Sequence, residues 1–197
     1  MIDNVKAFKN ELKNFNYYRA VYSKYHKTFK DVQSIMIDNK MSVDDKNELL
    51  YKLLRPFYKP YLYDTHLMLE ELFIKMTGVS AISYDKIPSS FNESLSEKTK
   101  INMIEKYNKL KKTFNTYIDK AYDNLKKEVA YYQKALIHIE EVLIKLPPDI
   151  RKVVVEIYGN GKRYEDISNG NNVFWSPSGV YLNVNKELER ALNGMDK

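Results

Sequence analysis

The stretch Leu146-Pro147-Pro148-Asp149-Ile150-Arg151-Lys152-Val153-Val154-Val155-Glu156-Ile157-Tyr158-Gly159-Asn160-Gly161-Lys162-Arg163-Tyr164-Glu165-Asp166-Ile167 decides the architecture. Two adjacent prolines end any helix arriving from upstream, because each ring removes an N–H and pushes the preceding residue toward extended backbone. Pro148 then suits the first position of a new helix, and Ile150, Val153, Val154 and Ile157 form one apolar face. Gly159 to Gly161 permit a tight reversal, and a short second helix is expected over Tyr164 to Ser168. Asn169-Gly170-Asn171-Asn172 is a turn cluster, after which Ser176-Pro177 offers an N-cap and an N1 proline for a last helix from Pro177 to about Leu192.

Helix, short helix, turn, helix is the order found in helix-turn-helix DNA readers. On the last helix Val180, Val184, Leu188 and Ala191 fall within about 80° at 100° per residue, and are expected to pack on the two preceding helices. The opposite sector holds Ser178, Leu182, Asn185, Lys186 and Glu189. Its N-terminal part is the part suited to a major groove. Asn185 has the groups for a bidentate pair with adenine, Ser178 and Tyr181 for phosphate or base edges, and Leu182 for a thymine methyl. Ser176 and Lys186, with Lys162 and Arg163 in the preceding turn, complete the candidate DNA contacts.

Upstream of this module the chain reads as helices throughout. Apolar residues recur at helical spacing from Val5 to about Asn39, as one continuous amphipathic stripe. Ser42-Val43-Asp44-Asp45 predicts a capped helix to Leu54, and a further helix after Pro60 is expected to stop at Gly78. Residues 78 to 96 are Ser-rich without helical period and read as a linker. From Ile104 to Leu143 apolar residues then advance by threes and fours, with Ser96 or Thr99 as cap and Pro147-Pro148 as stop. Such a rod, about 65 Å long, needs a partner along its length. First-half helices folded back on it and a second copy in a coiled-coil homodimer both remain open. The expected organisation is an all-α protein with an N-terminal helical region (1–77), a linker (78–96), a long central helix (97–145) and a C-terminal helix-turn-helix (146–197).

Composition narrows the function classes. The 197 residues contain no cysteine, which excludes disulfides, thiolate catalysis and Cys-based metal sites. Six glycines and six prolines suit helices rather than a turn-rich barrel. No run approaches the roughly 18 apolar residues of a membrane span, and a cytoplasmic location is expected. His26, His66 and His138 are too scattered for a ligand spacing, so neither a metal nor another cofactor is expected. The acidic pairs Asp44-Asp45, Glu70-Glu71 and Glu140-Glu141 lie about 100° apart on a helix and read as solvated faces. Gly159-Asn160-Gly161-Lys162 lacks the spacing and the Ser or Thr of a phosphate loop. No catalytic constellation is present. The Tyr-rich first helix, interleaved with Lys24, Lys27 and Lys30, has the parts to stack single-stranded bases, but at period 3.6 its rings are more simply core. Trp175, directly before the Ser176 cap, reads as a staple onto the helix pair.

Net charge is +6, yet residues 146–197 balance seven basic against seven acidic side chains. The excess falls on residues 97–134, with ten lysines against five acids, which reads most simply as a solvated face. Phosphate contacts supply most non-specific affinity for DNA, so a neutral reading module needs dimerisation, a partner or another basic surface.

The run Leu-Pro-x-x-x-Arg, an apolar helix ending in Tyr158, the Gly turn, Tyr164-Glu165-Asp166-Ile167, and Ser176-Pro177-Ser178-Gly179-Val180-Tyr181 leading to Lys186-Glu187-Leu188-Glu189-Arg190-Ala191-Leu192 resembles the ArpU/RinA-type phage transcriptional regulators, whose C-terminal module is similar to region 4 of sigma factors. Val79-Ser80-Ala81-Ile82-Ser83-Tyr84-Asp85-Lys86-Ile87-Pro88, ahead of a Lys-rich helix, resembles the same family, so the likeness covers roughly residues 70–197. Where members of this type often carry Lys or Arg after the Tyr of the last helix, this chain has Leu182-Asn183. The resemblance implies a non-enzymatic activator of phage late genes in the bacterial cytoplasm. Double-stranded promoter DNA is its implied partner, with RNA polymerase as a further candidate. Tyr164 to Ser168 becomes the supporting helix and Ser176 to Asn185 the reading end. The alternative is a non-catalytic docking module for RNA polymerase or a host protein, built on Leu182 and Trp175.

Overall fold

The computed structural model describes residues 2–78, 83–84, 91–170 and 176–194. Among them the fold is all-α, with no strand. The helices are α1 (Ile2–Lys13), α2 (Phe15–Ile37), α3 (Val43–Leu54), α4 (Tyr61–Thr77), α5 (Glu97–Lys145), α6 (Pro148–Val154), α7 (Tyr164–Gly170) and α8 (Pro177–Asn193). Most of the expected linker, the turn at Asn171-Asn172 and Trp175 lie outside the described residues.

Local chemistry sets the helix ends. Ser42 Oγ accepts from the Asp45 N–H at 3.1 Å to start α3. Gly78 closes α4 in the left-handed region, at φ 74°, its N–H bonded to Ile74 O. Ser96 Oγ accepts from the Thr99 N–H at 3.3 Å ahead of α5. The expected single stripe from Val5 to Asn39 is broken, because Asn14 turns its N–H to Glu11 O, three residues back, and its Nδ2 to Asn10 O. Asparagine competes for backbone groups in this way and is a poor helix-interior residue. The break at Asn14 separates α1 from α2.

The chain forms two compact units, Met1–Lys24 with Ala130–Lys197, and Tyr25–Val129. This grouping differs from the sequence division at 78 and 146, since α1 joins the C-terminal helices. In the Tyr25–Val129 unit, Leu54, Leu62, Leu69 and Met76 and, on α5, Tyr107, Phe114, Ala121 and Leu125 are nearly fully buried, with the Tyr51 ring 6.2 Å from Phe114 and the Phe73 ring 6.0 Å from Tyr107. Part of the apolar stripe of the long helix is therefore covered by this chain's own helices. Tyr84 is also buried, stacked on Phe114 at 5.0 Å, so the expected linker is anchored there. Its N–H donates to Asp44 Oδ1, Ser83 Oγ donates to Asp44 Oδ2 at 2.9 Å, and the Tyr107 hydroxyl donates to Ser83 O. Burial pushes the Tyr107 hydroxyl up to about 12. His66 stacks on Tyr51 at 3.9 Å, and burial holds its pKa below the usual imidazole value.

Rings of the Tyr-rich segment find aromatic neighbours inside the fold. Tyr25 meets Phe57 edge-on at 5.1 Å, Phe29 stacks on Tyr122 at 5.6 Å, and Tyr18 lies 5.7 Å from Tyr132. Most lysines of α5 point to solvent, and two of them pair along the helix, Lys100 with Glu97 and Lys126 with Asp123.

Candidate nucleic-acid interface

Helices α6, α7 and α8 fold as the sequence order suggests. Pro148 opens α6, whose Ile150, Val153 and Val154 are buried. The helix then widens into one π turn, Val155–Gly159, because the Asn160 N–H reaches back five residues to Val155 O at 3.0 Å. That turn buries Ile157 and Tyr158 together, and Gly161 at φ 71° reverses the chain. The Asp166 carboxylate accepts from the Arg163 N–H at 3.2 Å at the entry to α7, which buries Ile167 completely. The hydroxyls of Tyr158 and Tyr164 meet at 2.5 Å, tying the first helix to the second. Burial first, and then this bond, push the Tyr158 hydroxyl well above its ordinary range. Arg151 Nη2 donates to Ile144 O and Leu146 O, at 2.8 and 3.1 Å, and so satisfies carbonyls left open where the prolines end α5.

Val180, Val184, Leu188 and Ala191 of α8 are buried in the same core, as the wheel predicts. That core has a wall absent from the sequence reading. Val5, Phe8 and Leu12 of α1 belong to it, together with Ile139, Val142 and Leu143 at the end of α5. Helix α1 packs on both α8 and the π turn, and Asn16 Nδ2 donates to Gly159 O at 2.9 Å. His138 lies edge-on to Phe8 at 6.1 Å and 3.7 Å from the Glu11 carboxylate.

The eight predicted contact residues meet different fates. Ser176 is spent as the N-cap, its Oγ accepting from the Gly179 N–H at 3.2 Å. Ser178 and Lys186 are exposed, and Leu182 stands 66% exposed. Tyr181 is 49% exposed, its ring edge-on to Tyr164 at 5.9 Å. Lys162 pairs with Glu156 at 2.5 Å, and that bond holds the Glu156 carboxyl below its usual range. The Arg163 side chain is exposed at the start of α7. Asn185 is half-buried, and its Oδ1 accepts from the Lys9 ammonium of α1, which leaves one of that oxygen's two lone pairs. Lys9 also sits 5.2 Å from the Tyr158 ring centroid and 5.1 Å from that of Tyr181. Burial, and then the neighbouring Lys13, lower its proton affinity.

A groove of about 360 Å³ runs between α1 and α8, lined by Val5, Lys6, Lys9, Tyr181, Asn185 and Glu189. Its lysines were missed at the sequence level. The i, i+3, i+7 spacing of Val5, Phe8 and Leu12 announces a buried face, but nothing in it names the helix that covers that face. Among the described residues no cluster of three His, Asp or Glu side chains is placed to hold a metal, and no helix is long and apolar enough to cross a membrane. Comparison with known proteins gives no matching family model, no significant curated relative and no matching solved structure.

Proposed function

We propose that this chain is a non-catalytic transcriptional regulator that binds double-stranded DNA through α8, in the manner of the ArpU/RinA-type phage regulators it resembles in sequence. One observation carries the reading. The last helix of a three-helix module buries Val180, Val184, Leu188 and Ala191 and leaves Ser178, Leu182 and Lys186 facing water. A helix held from behind with its N-terminal half free is the geometry that major-groove reading requires. Ser178 contacts phosphate or a base edge, Leu182 meets a thymine methyl, and Lys186 takes a phosphate. Asn185, whose Oδ1 already accepts from Lys9, keeps a second lone pair and its amide N–H groups for a base edge. Activation of late genes in a bacterial host is the role this reading assigns.

A second reading rests on a separate observation. Tyr181 and Leu182 are neighbouring exposed apolar side chains on a module whose sequence charge is balanced, a composition that also suits docking onto RNA polymerase or a host protein. Selection from a random duplex library with the purified full chain, followed by titration of the selected duplex, separates the two. DNA reading predicts enrichment of one sequence and loss of binding on Ser178→Glu and Lys186→Glu. Docking predicts no enrichment, together with loss of polymerase co-purification on Leu182→Asp.

A further inference from the structure

We infer that α1 is part of the nucleic-acid interface, and that Lys6 and Lys13 are contacts to the DNA backbone beside α8. The inference rests on the DNA-binding reading and supplies what that reading lacks. Residues 146–197 carry no net charge of their own, whereas phosphate neutralisation by Lys and Arg provides most of the affinity of such modules.

Lys6, Lys9 and Lys13 fall within about 60° of one another around α1, at one border of the Val5, Phe8, Leu12 face that docks the helix. The stripe follows the helix for about 10 Å, roughly three base-pair rises. Among the described residues no carboxylate oxygen lies within 4 Å of any of these three ammonium groups. Glu11 is on another side of α1, against His138, and Glu189 lines the groove without pairing with Lys6. The groups in contact with the Lys9 ammonium are neutral, two tyrosine rings and the Asn185 carbonyl oxygen, and the nearby Lys13 adds a second positive charge. It is a positioning residue that fixes α1 against α8. Lys6 and Lys13, one turn to either side of it, are exposed and remain available to an anion.

A surface carrying unneutralised cations along one edge of a reading helix fits a backbone of regularly spaced phosphates. The opposing possibility is a solvated lysine face with no ligand. Binding of the full-length chain to a mixed-sequence duplex of roughly 30 base pairs, followed by fluorescence anisotropy between about 50 and 300 mM KCl, decides between them. The double variant Lys6→Gln/Lys13→Gln is expected to lower the slope of log affinity against log salt by about 1.8, and affinity at about 0.1 M salt by roughly 50-fold. The charge-matched control Lys98→Gln/Lys109→Gln, on exposed positions of α5, is expected to bind like the parent. Circular dichroism checks that α1 remains helical.

An unchanged slope in the α1 variant, with binding still lost on Ser178→Glu/Lys186→Glu, overturns the inference and leaves the DNA-binding reading standing. An equal loss in the control also overturns it, since net charge alone would then explain the effect. No duplex binding by the parent chain at about 50 mM salt overturns both.

Discussion

Replacing Phe8 by alanine tests whether α1 is structurally part of the C-terminal unit. The ring is 2% exposed, edge-on to His138, in one cluster with side chains of α5, α6, the π turn, α7 and α8. Truncating a buried Phe to Ala removes its transfer energy and leaves a cavity, together costing about 3–5 kcal/mol. His138 is only half-buried, and if it swings into the space the cost falls toward the lower figure. If the unit opens cooperatively, that energy is withdrawn from every amide whose exchange requires global opening, including those of Val153 and Val184 more than 140 residues away in sequence. Hydrogen exchange at these amides is then expected to accelerate by two to nearly four powers of ten, about tenfold per 1.4 kcal/mol. Urea unfolding followed by circular dichroism supplies the matching shift in midpoint. Faster exchange confined to α1, with α6 and α8 amides unchanged, would refute the cooperative unit and reduce α1 to an appendage.

Three smaller tests address single features. Gly161→Ala is expected to cost about 1–2 kcal/mol in thermal unfolding, from its positive φ alone, because nothing lies within 4 Å of the new methyl group, whereas Gly159→Ala, whose Cβ meets Val155 at 3.6 Å and whose φ is ordinary, leaves the melting temperature nearly unchanged. Ser176→Ala should lose about 1 kcal/mol with its cap, while Ser178→Ala should stay within about 0.5 kcal/mol in the same urea titration, since Ser178 is exposed. His66 has its pKa lowered by burial despite Glu70 and Glu48 nearby, so just below pH 6.5 the unfolded chain binds more protons than the folded one. Stability of the Tyr25–Val129 unit therefore falls as pH drops from about 7 to about 5, and His66→Phe should flatten that part of the urea-midpoint profile.

Much of the fold was legible because it depends on local chemistry. The caps at Ser42, Gly78 and Ser176, the double-proline stop after α5 and the buried stripe on α8 each follow from a few neighbouring residues. What stayed hidden depends on partners distant in sequence. The amphipathic pattern at Val5, Phe8 and Leu12 demands burial but carries no address for the covering helix. For the same reason the wheel placed Asn185 on the free side of α8, while Lys9 of α1 in fact holds its carbonyl oxygen. The π turn at Val155 and the anchoring of Tyr84 by Asp44 were likewise invisible, since a one-residue register change and a tertiary tie leave no periodic mark. Of the interface, Ser178, Leu182 and Lys186 were placed outward by periodicity alone, and the lysines of α1 were not seen.

The docking of α1 onto helices encoded far downstream has a consequence for how the protein is made. Val5, Phe8 and Leu12 leave the ribosome well before the side chains that cover them, from Ile139 to Ala191, have been synthesised. At about 5–20 residues per second, α1 waits roughly 7–30 s with an oily face bare. During that interval it is a natural client for nascent-chain chaperones, and its binding site is complete only once α8 has been made.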